Sequence, residues 1–188
     1  DLFSDPAKYF DQDGTVAVGA PAGDLTLASV ATSTYAASGA LTSSTFDTGS
    51  PSTFYQLAWQ PANQPPDTGA DSVRFQLSTA TTSAPAAWNF IGPDGTPATY
   101  FTGGSGNANA IHGGDRYFRY RALLQTASTT FTPLVSDVSL TFASDCVPPG
   151  QVFFSGLPAD TYTLSLSRAG YQPVTQPVNI AAPWQEVV

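Results

Sequence analysis

Between Arg116 and Gln125 the chain reads Arg-Tyr-Phe-Arg-Tyr-Arg-Ala-Leu-Leu-Gln. A period of two belongs to a strand, so Phe118, Tyr120, Ala122 and Leu124 point to one face and Tyr117, Arg119, Arg121 and Leu123 to the other. Similar short runs recur along the chain: 15–18, 24–29, 40–46, 53–60, 72–79, 88–91, 98–101, 134–142, 151–154, 161–167, 174–180 and 184–188. Turn clusters such as Gly92-Pro-Asp-Gly-Thr and Asn63-Gln-Pro-Pro-Asp-Thr-Gly separate them. No stretch shows the helical period, and Lys8-Tyr9-Phe10 reads as part of a short turn. Many short strands at this spacing predict an all-β sandwich or barrel rather than a parallel sheet.

Composition narrows the habitat. Of 188 residues, 41% are hydrophobic and 12% aromatic, enough to build a real core. Charged residues make up only 11%, against roughly 25% in ordinary soluble domains. Ser and Thr supply neutral polar faces, as expected of a secreted all-β protein. The net charge of −8 leaves no cationic footprint for nucleic acid and disfavours anionic lipid, so neither nucleic-acid nor membrane contact by this segment is expected. Cys146 is the only cysteine. In a secreted chain it implies an intermolecular bridge, a partner in a missing segment or a buried thiol, and its place in Ser-Asp-Cys-Val-Pro-Pro-Gly favours the first two. No signal peptide or membrane-length apolar run is present, which reads as a mature ectodomain or fragment.

Two segments carry family resemblances. Phe154-Ser-Gly-Leu-Pro-Ala-Asp-Thr-Tyr-Thr-Leu-Ser-Leu, followed by Gly170-Tyr171, resembles the second half of the B-type repeats of collagen adhesins and of carboxypeptidase regulatory-like (prealbumin-like) domains. Residues 40–143 look like a galactose-binding-like (discoidin-type) jelly roll. The resemblance rests on Leu41-Thr-Ser-Ser-Thr-Phe-Asp-Thr-Gly, Leu57-Ala-Trp-Gln, Val73-Arg-Phe-Gln-Leu-Ser-Thr-Ala and the Arg116 strand. Together the two halves are similar to ectodomains of pilin-like bacterial surface proteins, although the hydrophobic helix that packs such filaments is absent from this sequence. The fold expected is a jelly-roll β-sandwich (40–144) with an attached or interrupted prealbumin/Ig-like β-sandwich segment (145–188). Residues 1–39 form an N-terminal segment that supplies strands to the C-terminal piece, unless a neighbouring chain does so. The function implied is a non-catalytic structural or adhesive module of a bacterial cell-surface filament. Its partners would be copies of itself or other surface subunits, and glycans. The alternative is a carbohydrate-binding module of a secreted enzyme.

Candidate sites follow from residue chemistry. The lone His112 has Ser105 and Asp115 near it in sequence, but no G-x-S-x-G elbow exists, so no catalytic residue is assigned. With one Cys and one His no zinc pattern can form. Two places could hold a structural calcium, the only cofactor considered. One is Asp11 with Asp13 in Asp-Gln-Asp-Gly, where an Asx turn is the favoured reading; the other is Asp47 with the carbonyls of 48–50. For a glycan, aromatic rings with polar donors are needed. The candidates are Tyr117, Trp88, Arg74, Arg119 and Arg121, with Trp59, Tyr100 and Trp184 as further rings; most of these aromatics belong to a core on ordinary burial grounds. Arginine stacking on aromatics across the sheet is the simpler explanation of the same pattern.

Overall fold

The computed structural model describes residue 3 and residues 9–19, 22–144, 158–166 and 172–181. The expected strands at 151–154 and 184–188, together with Lys8, Cys146, Gly156 and Trp184, lie outside the described residues. The described residues are all-β. The chain divides into two compact units, Asp1–Cys146 and Val147–Val188.

In the first unit, β1 (Tyr9–Gln12), β2 (Val16–Val18), β3 (Leu25–Leu27), β4 (Ser29–Ala31) and β5 (Thr34–Tyr35) precede β6 (Ser38–Ser43) and the long β7 (Phe46–Gln60). There follow β8 (Val73–Ala80), β9 (Ser105–Asn107), β10 (Asp115–Gln125), β11 (Leu134–Val135) and β12 (Asp137–Ser144). The main sheet runs β1-β6-β10-β7-β12, with β8 also on β10 and β9 also on β7. A smaller sheet runs β11-β3-β2. All the pairings are antiparallel, as hairpin-connected strands allow.

The alternation read in the sequence of β10 is the one observed. Tyr120, Ala122 and Leu124 are buried and Phe118 is half-buried. They meet Leu57 and Trp59 of β7, Phe75 and Leu77 of β8, and Val138 of β12. Trp59 packs on Phe75 with ring centroids 4.7 Å apart, and Phe75 meets Tyr120 edge-on at 5.7 Å. Two glycines are required by close approach. A Cβ on Gly39 would lie 2.6 Å from Val16 Cγ1, and one on Gly106 would lie 2.6 Å from the Phe101 ring.

Several expectations are corrected. The turn expected at 8–10 gives way to β1, which pairs with β6. The N-terminal strands belong to the first unit: Val16, Leu25 and Leu27 join its core, and β3 pairs with β11. The apolar side chains of β2 and β3 are thus buried within the first unit. The runs at 88–91 and 98–101 are not strands. Gly92, Pro93 and Pro97 crowd the six residues between them, and only Ile91 and Phe101 bridge to β8, at Leu77 and Phe75. The glycine-rich stretch after Phe101 contains β9, which covers part of β7.

The described part of the second unit is one hairpin, β13 (Asp160–Leu166) and β14 (Val174–Ile180), fully registered from Asp160↔Ile180 to Leu166↔Val174. Directly opposed residues share a face. Tyr162, Leu164 and Leu166 thus lie with Val174, Val178 and Ile180, on a face that also carries Asp160 and Gln176, while Thr161, Thr163, Ser165, Thr175, Pro177 and Asn179 take the other face. Tyr162 is half-buried, and its hydroxyl donates to the Pro158 carbonyl at 3.1 Å.

Candidate functional site

The outward face of β10 and β8 gathers most of the residues selected for ligand contact. Arg119 and Arg121 leave β10 on the side opposite the core, and Arg74 leaves β8 opposite Leu123. The segment 88–101 folds over them because β8 needs partners for its second edge: Phe75 and Leu77 each exchange two backbone hydrogen bonds with Phe101 and Ile91. That brings aromatic rings onto the arginines. Arg119 lies over Trp88 (4.7 Å to the centroid), Arg121 over Phe90 (4.2 Å) and Arg74 over Tyr100 (4.8 Å). The amide of Gln76, between them, donates to the carbonyls of Pro97 and Thr99, both at 3.0 Å. Arg119 Nε donates to Thr45 Oγ1 at 2.8 Å, and Arg74 donates to Gln125 at 2.9 Å. Burial draws the Arg119 guanidinium below its ordinary range.

The stacking explanation therefore describes Arg74, Arg119 and Trp88: the rings of the cover lie on the arginines, and Gln76 donates to its carbonyls. Tyr117 stands at the other end of β10 under Arg116, 5.2 Å from its ring centroid. Trp59 is a core residue, 1% exposed. Phe90 was missed as a stacking ring because nothing in its sequence neighbourhood points to Arg121.

The calcium readings do not fit. Both oxygens of Asp47 accept from Arg116, at 2.7 and 2.8 Å, and Gly49 N–H donates to the same carboxylate at 2.8 Å. The hydrogen bond from Arg116, aided by Gly49, holds the Asp47 carboxyl below its usual range. A carboxylate clamped by a cation is a poor ligand for a second one. Asp13 makes the Asx turn: its oxygens accept from the backbone N–H of Thr15 (3.0 Å) and of Ala40 (2.9 Å), fixing the end of β1 to β6. Asp11 is exposed. Among the described residues no group of three or more His, Cys, Asp or Glu converges.

His112 sits on a single 3₁₀ turn, Ala110–His112, started by Asn109, whose side chain accepts from Ile111 N–H. Thr79, not Ser105, is its neighbour. Thr79 Oγ1 lies 3.0 Å from His112 Nδ1 and donates to Asp115 Oδ2 at 2.6 Å. The one hydroxyl proton is committed to Asp115, so Nδ1 carries the imidazole hydrogen. The ring is 2% exposed and Nε2 meets no partner among the described residues. A general base must reach its substrate, and this imidazole is sealed within the unit.

Burial pushes the His112 pKa down, against a smaller opposing pull from Asp115. The sign follows from linkage. The folded pKa lies below the unfolded value of about 6.5, so the unfolded chain takes up the proton first on acidification. The contribution to stability is whole above about pH 6.5 and is lost as pH falls through the depressed folded value. Thermal melts across this range should show the wild type losing more stability on acidification than His112→Asn. Parallel pH profiles for the two would contradict the buried neutral imidazole.

An open groove of about 340 Å³ lies between β10 and β12, lined by Phe46, Phe118, Tyr120, Val138 and Leu140, with Asp137 as its charged group. Phe46 and Phe118 stack at 4.9 Å along one wall. No family model, curated protein or solved structure matches the chain.

Proposed function

We propose that the chain is a non-catalytic, extracellular structural and adhesive module that associates with copies of itself or with sister subunits on a bacterial surface. The observation that carries this reading is the β13–β14 hairpin. One face carries Tyr162, Leu164, Leu166, Val174, Val178 and Ile180 around a central Gln176, and Leu166 and Val174 on it are 52% and 56% exposed. A two-stranded hairpin is marginal alone and gains stability when such a face is covered. Pro177 lies opposite Thr163 in mid-strand. Proline has no N–H to donate and is tolerated where its nitrogen points away from the neighbouring strand. The outer edge of β14 is therefore blunted against strand addition, and association is directed to the face. The chain's low charge and Ser/Thr-rich outer faces suit a secreted module.

Light scattering over a concentration series tests this. The wild-type mass should rise above the 19.6 kDa of one chain as concentration increases. The double variant Leu166→Lys, Val174→Lys should remain monomeric, with the melting of the first unit unchanged. A wild type that stays monomeric throughout contradicts the reading.

A further inference from the structure

Between Ser105 and Gly114 the chain has little to hold it down. The run Ser-Gly-Asn-Ala-Asn-Ala-Ile-His-Gly-Gly carries no apolar pattern, and Ile111 is 66% exposed. His112 is the only buried residue in it, and Ala108 is half-buried. The backbone is attached along one edge of β7. The Gly104 carbonyl accepts from Trp59 N–H at 2.9 Å, and β9 pairs with Gln56–Ala58. Ala108 N–H donates to the Tyr55 carbonyl at 2.8 Å and Gly114 N–H to the Ser52 carbonyl at 2.9 Å. The Asn109 amide adds a longer bond to the Pro93 carbonyl, at 3.2 Å. A segment with few buried apolar contacts belongs to the part of a fold that opens first. Its one buried side chain is also its one titratable group.

Seated on β7, the imidazole is neutral, with its hydrogen on Nδ1 toward Thr79. A proton can add only at Nε2, which meets no partner among the described residues. That would bury a cation and leave its new N–H unpaired, a costly state. The charged groups around it offer limited relief. The turn Ala110–His112 packs on β7 and β8. From β10, Asp115 reaches the ring through the Thr79 hydroxyl. On β7, Asp47 is already held by Arg116, and Tyr55 is exposed. On β8 the charged group is Arg74, tied to Gln125 at the far end of the strand. In the segment 88–101, Asp94 accepts from Thr96 N–H. Asp115 is therefore the charge that draws the proton in, and burial outweighs it.

We infer that residues 104–114 form an acid-released latch: protonation of His112 shifts the segment from its seat on β7 to an open state in which the ring lies in water. Water satisfies both ring N–H groups there, so the open form takes up the proton first. The opening constant should rise about tenfold per pH unit below about pH 6.5, the ordinary imidazole value, and level off once pH falls below the depressed value of the closed form. The ladders of β6, β8 and β10 are made without this segment, so they stay formed. Opening frees the Trp59 N–H and the Tyr55 and Ser52 carbonyls along the edge of β7, which can then pair with another strand. The latch lies within the first unit, and its behaviour is independent of the association proposed for the hairpin.

The test is amide exchange of the full chain, followed residue by residue by NMR from about pH 8 to about pH 4.5 and corrected for the intrinsic pH dependence of exchange. Protection of the Trp59, Ala108 and Gly114 amides should fall about tenfold per pH unit within the window given above, while protection of Leu77 and Tyr120 stays constant. The His112 ring signals of the same sample should report protonation in step with that fall. In His112→Asn the three amides should keep a protection that does not vary with pH. The comparison of ring and amides in the wild type stands whether or not the variant folds. Protection of the three amides that ignores pH, or a fall that persists in His112→Asn, would overturn the latch. So would a ring that gains its proton while the three amides stay protected, since the cation would then be accommodated in the closed seat. A fall shared equally by Leu77 and Tyr120 would overturn it in favour of unfolding of the whole unit.

Discussion

Removing residues 1–31 should abolish cooperative folding of the first unit. The truncation takes away Val16, Leu25 and Leu27, which are 5%, 0% and 1% exposed. Each such side chain contributes about 1.5–3 kcal/mol on burial. Together they approach the 5–15 kcal/mol that is the whole net stability of a typical domain. The loss does not stop there: β11 loses its pairing with β3, and β6 loses its pairing with β1. Circular dichroism and thermal melting should show no cooperative transition for the truncated chain. A truncated chain that still melts sharply, with β8 and β10 intact, would mean that the N-terminal strands are accessory to this core.

Trp59→Ala is expected to be the most damaging single substitution, at about 3–5 kcal/mol. Trp59 is enclosed by the two faces of the core, packs on Phe75 at 4.7 Å and stands opposite Val138 of β12. Its backbone N–H donates to the Gly104 carbonyl at 2.9 Å, which holds the strand in place after the side chain is cut back. The surroundings can then collapse only in part, so a cavity remains and adds to the lost transfer energy. Trp59→Phe keeps most of the volume and should cost much less. Chemical denaturation of the two variants measures the difference. Equal, small losses for both would show that the ring is not a core element.

How far the sequence could be read depended on whether the signal was local. The alternation in β10 lies within a single strand, so period two alone identified its buried side. The segment 88–101 misled because Trp88, Phe90, Ile91 and Phe101 have the composition of strands, whereas glycine and proline reduce their pairing to isolated bridges. β9 carries Ser-Gly-Asn, with no strand propensity; it exists because Gln56, Leu57 and Ala58 of β7 provide a ladder for it. The arginine-rich face of β10 was legible, but not which ring each arginine would take. Asp47 and Arg116 are 69 residues apart, and Thr79 and His112 are 33 apart. Such pairs are made by strand register, which no local pattern records. For that reason Asp47 looked like a cation ligand and Ser105 like the neighbour of His112.

Among the described residues the first unit builds its own core, and the proposed association would cover the hairpin face of the second. Amide hydrogen exchange of the intact chain, followed as a function of protein concentration, tests both halves at once. Amides of β3, β8 and β10 should exchange slowly and at rates independent of concentration. Those of β13 and β14 should exchange quickly in dilute solution and become protected as concentration rises, because binding stabilises what it covers. Protection of β13 and β14 that does not change with concentration would contradict the account.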